Sequence, residues 1–164
     1  MNAYQEFKII GSRPIRPDGL DKVTGRARYG ADLNMQSQLY GHVVRSPHAH
    51  AVIQSIDCSK ALAMEGVLAV MTGDDLVKPG NEMLGTGEGA MALKDLVPMV
   101  MSQGKVLFHS QAVAAVAATS PQLAAEASEA VEVTYEVLPA VTDLHKALAA
   151  DAPILHDDRF PDGY

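Results

Sequence analysis

The middle of the chain is built from short apolar runs separated by turn residues. Leu39–Ser46 (LYGHVVRS) and Ala51–Asp57 (AVIQSID) read as strands. Val52, Ile53 and Ile56 do not alternate strictly, so the facing of the second strand stays open. Ser59 to Met64 offers one or two helical turns, stopped by Gly66, and Val67–Thr72 (VLAVMT) forms a third apolar strand. Asp74, Asp75 and Leu76 start a further helical turn. Lys105 to Phe108 and Val113 to Ala118 resume strand character on either side of a turn at His109, Ser110 and Gln111. The clearest helix spans residues 121–131. Ser120 is its N-cap and Pro121 takes the first helical position. Leu123, Ala124, Ala127, Ala130 and Val131 share one face, with Gln122, Glu126 and Glu129 on the other. The strand Glu132–Val137 follows, ended by Pro139, and Asp143 to Ala149 is a short helix.

Three segments lack such periods. Residues 1–26 carry Gly11, Pro14, Pro17, Gly19 and Gly25 among charged side chains. Each proline pushes its predecessor toward extended backbone, which predicts either an extended arm lying across something or a disordered tail. Residues 78–104, with Lys78, Pro79, Gly80, Asn81, Gly85, Gly87 and Gly89, predict a long loop. Residues 151–164 form a polar tail rich in Pro and Asp. Helices and strands mix without regular βαβ alternation, so the class is α+β. The expected division is an arm at 1–26, one domain at 27–150 and a linker beginning at 151–164.

Composition sharpens this. The chain has 164 residues, enough to bury a core without disulfide staples. Apolar residues make up 48% but aromatics only 5%, with no Trp, so Ala and Val must fill the interior. Thirteen basic against 20 acidic residues leave a net charge of −7, which disfavours nucleic-acid binding. No apolar run reaches the ~18 residues needed to cross a membrane. The opening MNAYQEFKIIGSRP lacks the pattern of a signal peptide. The single cysteine, Cys58, excludes an internal disulfide. A cytoplasmic location is expected.

Candidate chemistry is sparse. His48 and His50 lie two apart and on a strand would share a face. Zinc needs three or four protein ligands, and local spacing supplies no third; hydrogen bonding within the fold, or to a further domain, is expected instead. Cys58 has no Cys–His–Asn context and reads as a small apolar group. Gly85, Gly87 and Gly89 lack the flanking strand, helix and lysine of a phosphate loop. The pairs Asp74–Asp75 and Asp157–Asp158 read as solvated surface. Gln111 is the one polar residue within its strand–turn–strand motif and is a candidate for contact between domains.

Three ordered stretches carry a family resemblance: Gly19–Leu33 leading into Leu39–Asp57, then Met64–Leu76, then Lys105–Leu148. Together they resemble the opening domain of the molybdopterin-binding subunit of xanthine dehydrogenases, aldehyde oxidases and aerobic carbon monoxide dehydrogenases. The likeness covers about residues 10–158. It implies an α/β hammerhead fold, a mixed sheet with a few packed helices. It also implies a molybdenum hydroxylase that hydroxylates a carbon of a heterocycle or aldehyde using water. The molybdenum–molybdopterin cofactor and the catalytic glutamate would sit in later domains of the same chain. Iron–sulfur clusters and FAD would sit on partner domains or subunits. No nucleic-acid or membrane partner is implied. No residue of the present chain is assigned a catalytic, cofactor-binding or metal role. The chain stops near His156–Tyr164, about where that family continues into the molybdenum domains. One departure stands out: many relatives have Gly-Gln-Pro where this chain has Ser110, Gln111 and Ala112, and Ser resists the positive φ that Gly tolerates. The rival reading is a free-standing small-ligand or protein-binding α+β module.

Overall fold

The computed structural model describes residues 8–76, 80–85, 87 and 89–157. They fall into two compact units, with the break between Gln38 and Leu39, later than the expected end of the arm at residue 26.

In the first unit no described residue is buried. The arm is not extended throughout, because α1 (Gly19–Val23) makes one helical turn. An Asp18–Lys22 ion pair at 2.7 Å and a Thr24 hydroxyl donating to the Leu20 carbonyl at 2.7 Å close that turn. Asp32 then accepts from the Tyr29 amide at 2.9 Å and closes a 3₁₀ turn over Gly30–Asp32.

The second unit runs β1 (Tyr40–Arg45), β2 (Ala51–Asp57), α2 (Ser59–Leu62), β3 (Val67–Thr72), β4 (Met83–Gly85), β5 (Ala90–Ala92), α3 (Leu93–Val100), β6 (Lys105–Val106), β7 (Ala112–Ala118), α4 (Pro121–Glu129) and β8 (Glu132–Val137). Strands pair antiparallel in three sheets, ordered β1-β7-β3, β6-β2-β8 and β4-β5. The class is α+β, as expected.

The expected helix forms for the expected reason. The Ser120 hydroxyl accepts from the Leu123 amide at 3.2 Å, and Pro121 follows at a position whose amide would be unpaired anyway. Ala124 and Ala127 are buried, and the helix lies on β1 and β7 while α2 packs on β3 and α4. Ala61, Ala114, Val116, Ala127 and Val131 form one core cluster, joined by Ile56 and Val133 from the second sheet. Ala51, Val106 and Val113 form another. Alanine at the contact lets helix and sheet approach closely, as the low aromatic content required. Gly66, at φ +92°, turns the chain into β3 where a Cβ would come within 2.7 Å of Leu123.

The long loop expected over residues 78–104 is a correction. Met83–Gly85 and Ala90–Ala92 pair as a hairpin, and α3 follows directly. Strands of three residues leave no period to read. The helix has no side-chain cap at Ala92 and carries Pro98 inside it, so both ordinary signals are missing. Lys78 and Pro79 lie outside the described residues. Several elements are shorter than expected: α4 ends at Glu129, α2 at Leu62, and β1 spans only Tyr40–Arg45. β6 stops at Val106 because the Leu107 amide turns to the Gln111 side chain. The helix over 143–149 reduces to a 3₁₀ turn at Lys146–Leu148, capped by Asp143.

Candidate functional site

The densest polar arrangement lies where β1 leaves its sheet and where β6 turns into β7. The Ser46 amide donates to the Gln111 carbonyl at 2.9 Å, and the Ser110 amide returns a bond to the Ser46 carbonyl at 3.0 Å. Arg45 Nη1 donates to the Ser110 carbonyl at 2.9 Å. Between them Gln111 is 1% exposed and is the bulkiest fully buried side chain of the described residues. Its Oε1 accepts from the Leu107 amide at 2.7 Å, and its Nε2 donates to the Pro98 carbonyl at 2.9 Å. That carbonyl belongs to the end of α3, where intrahelical donors run out. The Ser102 amide, which could have reached back, bonds the Ala112 carbonyl at 2.8 Å instead. Gln111 therefore ties α3, β6 and β7 together within the chain. Against the expected role in domain contact, the Gln111 side chain is buried and its bonds run to Leu107 and Pro98 of the same chain.

Ser110 sits at φ +66°, in the left-handed region. The turn keeps the geometry that glycine adopts freely, at a cost of about 1 kcal/mol for a residue with a Cβ. Its hydroxyl lies 3.0 Å from His109 Nδ1.

His48 and His50 stand in the bend between β1 and β2 rather than on a strand. His50 is 4% exposed, and its Nδ1–H donates to the Pro139 carbonyl at 2.7 Å. Its Nε2 is buried with no partner among the described residues. His48 meets the edge of the Tyr135 ring, with centroids 5.0 Å apart. Burial pushes the Tyr135 hydroxyl pKa up, against a smaller downward pull from its hydrogen bond with Ser46. The two histidines thus serve different neighbours inside the fold. Among the described residues no group of three His, Cys, Asp or Glu side chains could hold a metal ion.

The other candidates stay apart. Cys58 precedes α2 and packs at the edge of the core. Burial raises its thiol pKa, and the negative charges of Asp57 and Asp75 add to the effect. A nucleophile needs the opposite shift. Asp75 accepts from the Thr72 amide at 2.7 Å and caps a turn. Asp74 lines a small cleft beside Gln54, Ser55 and Ser102. Asp157 pairs with Lys105 at 2.6 Å, and Asp158 lies outside the described residues. Gly85 ends β4 and Gly89 immediately precedes β5, and Gly87 stands between them at φ +81°.

A molybdopterin cofactor would need converging donors for its phosphate and ring. A Cβ added at Gly85, Gly87 or Gly89 meets no atom within 4 Å, so no cradle surrounds them. The first two amides of α3 already donate to the Glu82 and Gly80 carbonyls. These glycines and this helix end do not fit that group.

Comparison with known proteins explains a folded chain with so little exposed chemistry. Residues 24–139 match the family model described as aldehyde oxidase and xanthine dehydrogenase, a/b hammerhead domain. The chain belongs to this family. The hammerhead chain is 41% identical to the carbon monoxide dehydrogenase large chain of Afipia carboxidovorans, over 94% of its own length and 18% of that protein. It is 36% identical to the nicotinate dehydrogenase large molybdopterin subunit of Eubacterium barkeri, over 94% of itself and 34% of the relative. The solved CO dehydrogenase from Oligotropha carboxidovorans superposes with a TM-score of 0.76 at 41% identity, over 90% of this chain and 18% of that one. The hammerhead chain thus spans about a sixth to a third of the length of the curated relatives it matches. No helix among its described residues is long and apolar enough to cross a membrane.

Proposed function

We propose that this chain is the structural hammerhead domain of the molybdenum-binding subunit of a cytoplasmic molybdenum hydroxylase. In this reading it binds no cofactor itself. The parent enzyme hydroxylates a carbon of a heterocycle or aldehyde with oxygen from water. The molybdenum–molybdopterin cofactor is held by later domains, and iron–sulfur and flavin centres by partner domains or subunits. The carrying observation is the family match over residues 24–139, in relatives several times longer that are named for oxidising carbon monoxide and nicotinate. Relatives named for such different substrates share this domain, which argues that selectivity lies elsewhere in the subunit. The inward bonding of Gln111, His50 and Ser46 also supports a scaffold, since these polar groups hold the fold together.

The test is the reading frame beyond Tyr164, followed by purification of whatever polypeptide it encodes. Continuation into a subunit that carries molybdenum and oxidises substrate is the expected result. Deleting residues 1–150 from that subunit should abolish assembly or turnover. A natural stop after Tyr164, or a deletion variant with undiminished turnover, would overturn the proposal. A stop codon would favour the free-standing binding module.

A further inference from the structure

The three-stranded sheet β1-β7-β3 has a second face, away from α4, on which Val43, Met71 and Ala69 are exposed and Ala115 and Ala117 half-buried. Cross-strand register places Val43, Ala115 and Met71 in one row and Gly41, Ala117 and Ala69 in the next. The alternate rows point inward, where Val116, Ala114 and Ala118 are buried beneath α4. On the outward rows Val43 is 38% and Met71 39% exposed, and Leu68, bulged out of the same edge strand, is 57% exposed. Not one of these six positions is polar; the charge at the end of the face, Arg45 opposite Ala112, is turned to the Ser110 carbonyl at 2.9 Å. An antiparallel sheet facing water on one side ordinarily alternates apolar-in with polar-out. The strand β3 (VLAVMT) is moreover a free edge with no charge and no proline, a feature that native proteins normally blunt or cover.

The same chain shows what a water-facing sheet looks like. In β6-β2-β8 the outward positions are Glu132, Thr134 and Glu136 on β8, opposite Asp57, Ser55 and Val52. Gln54 donates to Glu136 at 2.7 Å, and Lys60 pairs with Glu132. One outer face is finished for solvent and the other is not.

We infer that the outer face of β1-β7-β3, centred on Val43, Ala115 and Met71, is the seat of a charge-free apolar segment of the same polypeptide lying beyond Tyr164. This rests on the proposed function, which places a longer chain after this domain. The occupant follows from length: relatives such as the CO dehydrogenase large chain devote 18% of their length to this domain, so most of their surface-burying mass lies outside it. It follows also from shape. Gly41, Ala69, Ala115 and Ala117 carry almost no side chain, so a packed element can approach the sheet backbone closely, between the taller Val43 and Met71.

The test compares the 164-residue chain with the complete subunit, using methionine oxidation by dilute peroxide and one pair of variants. Met71 should oxidise readily in the shorter chain and roughly tenfold more slowly in the complete subunit, since sulfoxide formation follows exposure. Met71→Lys should leave the melting temperature of the shorter chain unchanged and lower that of the complete subunit. Thr134→Lys, on the solvated sheet, should change neither. Equal Met71 oxidation in both forms, with Met71→Lys tolerated in both, overturns the inference. So does protection of Met71 in the shorter chain alone. If that protection grows with concentration, a second copy covers the face; if it vanishes on removing residues 1–38, that segment does. Molybdenum content and turnover report separately on the proposed function. A complete subunit with both, but with Met71 fully reactive, keeps that function and discards this surface. A subunit lacking molybdenum, but with Met71 protected, does the reverse.

Discussion

The two three-stranded sheets share one core yet end differently at their outer faces. The sheet β6-β2-β8 turns Glu132, Thr134 and Glu136 outward and laces them to Gln54 and Lys60. The sheet β1-β7-β3 turns outward Gly, Ala, Val and Met over its central rows, with Leu68 bulged beside them and Arg45 at one end. Hydrophobic burial is the main favourable term in folding, and the inner faces satisfy it alike, with Val116 and Ala114 on one sheet meeting Ile56 and Val133 of the other. The difference therefore concerns what lies outside the domain. An apolar outer face retained on a stable sheet marks a contact surface, whereas a face of paired charges marks water. In a chain whose polar core bonds are all inward, that outer face is the most informative surface.

The contrast between covered and open faces can be broken from the inside first. Ala127→Glu would force a carboxylate into a fully buried position under α4 and should cost about 3 kcal/mol or more, read from thermal melts. Full retention of stability would mean that the helix does not cover this sheet. Next is the joint between the sheets, where β3 ends against the lead-in to β6. At Gly73 a Cβ would stand 2.1 Å from the Ser102 carbonyl oxygen, so Gly73→Ala should cost about 3 kcal/mol, the upper range for overpacking. Gln111→Ala should follow at about 2 kcal/mol, because it strands the Leu107 amide and the Pro98 carbonyl in the interior. Amide exchange should quicken at the end of α3 in that variant. A change confined to the Gln111 turn would refute the tie.

A smaller effect is a loss of stability at alkaline pH. Burial raises the pKa of both Cys58 and Tyr135. The folded chain then keeps protons that the unfolded chain has released. Their contribution is whole below the ordinary values, about 8.5 for Cys and 10 for Tyr, and is lost as pH rises through the folded values. Melting temperature should fall over that window, and less so in Tyr135→Phe. A profile unchanged by that variant would remove Tyr135 from the account. Smallest of all are Met71→Gln and Thr134→Val, each expected within about 0.5 kcal/mol in the 164-residue chain because both sites face out of the core. A large loss from Met71→Gln there would end the contrast between the sheets.

Much of the fold was legible because local chemistry and tertiary packing agree. The strands at 51–57, 67–72 and 132–137 keep the limits their apolar runs suggested. Ser120 with Pro121 marks α4, and its alanine face is the one buried. Legibility failed where signals were short or contradictory. The three-residue strands β4 and β5 carry no period, and α3 holds a proline without a cap. At the polar corner, residue identity pointed to Gln111 but not to its role. A lone polar residue in an apolar motif can face a partner or bond inward, and only its neighbours Leu107 and Pro98 choose between these.

The amino-acid sequence by itself determined the family, the α+β class and the core-facing stripe of α4. All of these reside in residue types at fixed local spacing. It left undetermined which face of each strand is covered. Strand alternation names two faces without saying which meets a helix, and the bulges near Gln54 and Leu68 reset that alternation part-way along β2 and β3. Only the tertiary structure decided that α4 lies on the side of Ala114 and Val116, leaving Val43 and Met71 exposed on the other. Only it aimed both amide atoms of Gln111 inward. Burial and cross-strand register are sums over residues distant in sequence, and they exist only once the chain has closed on itself.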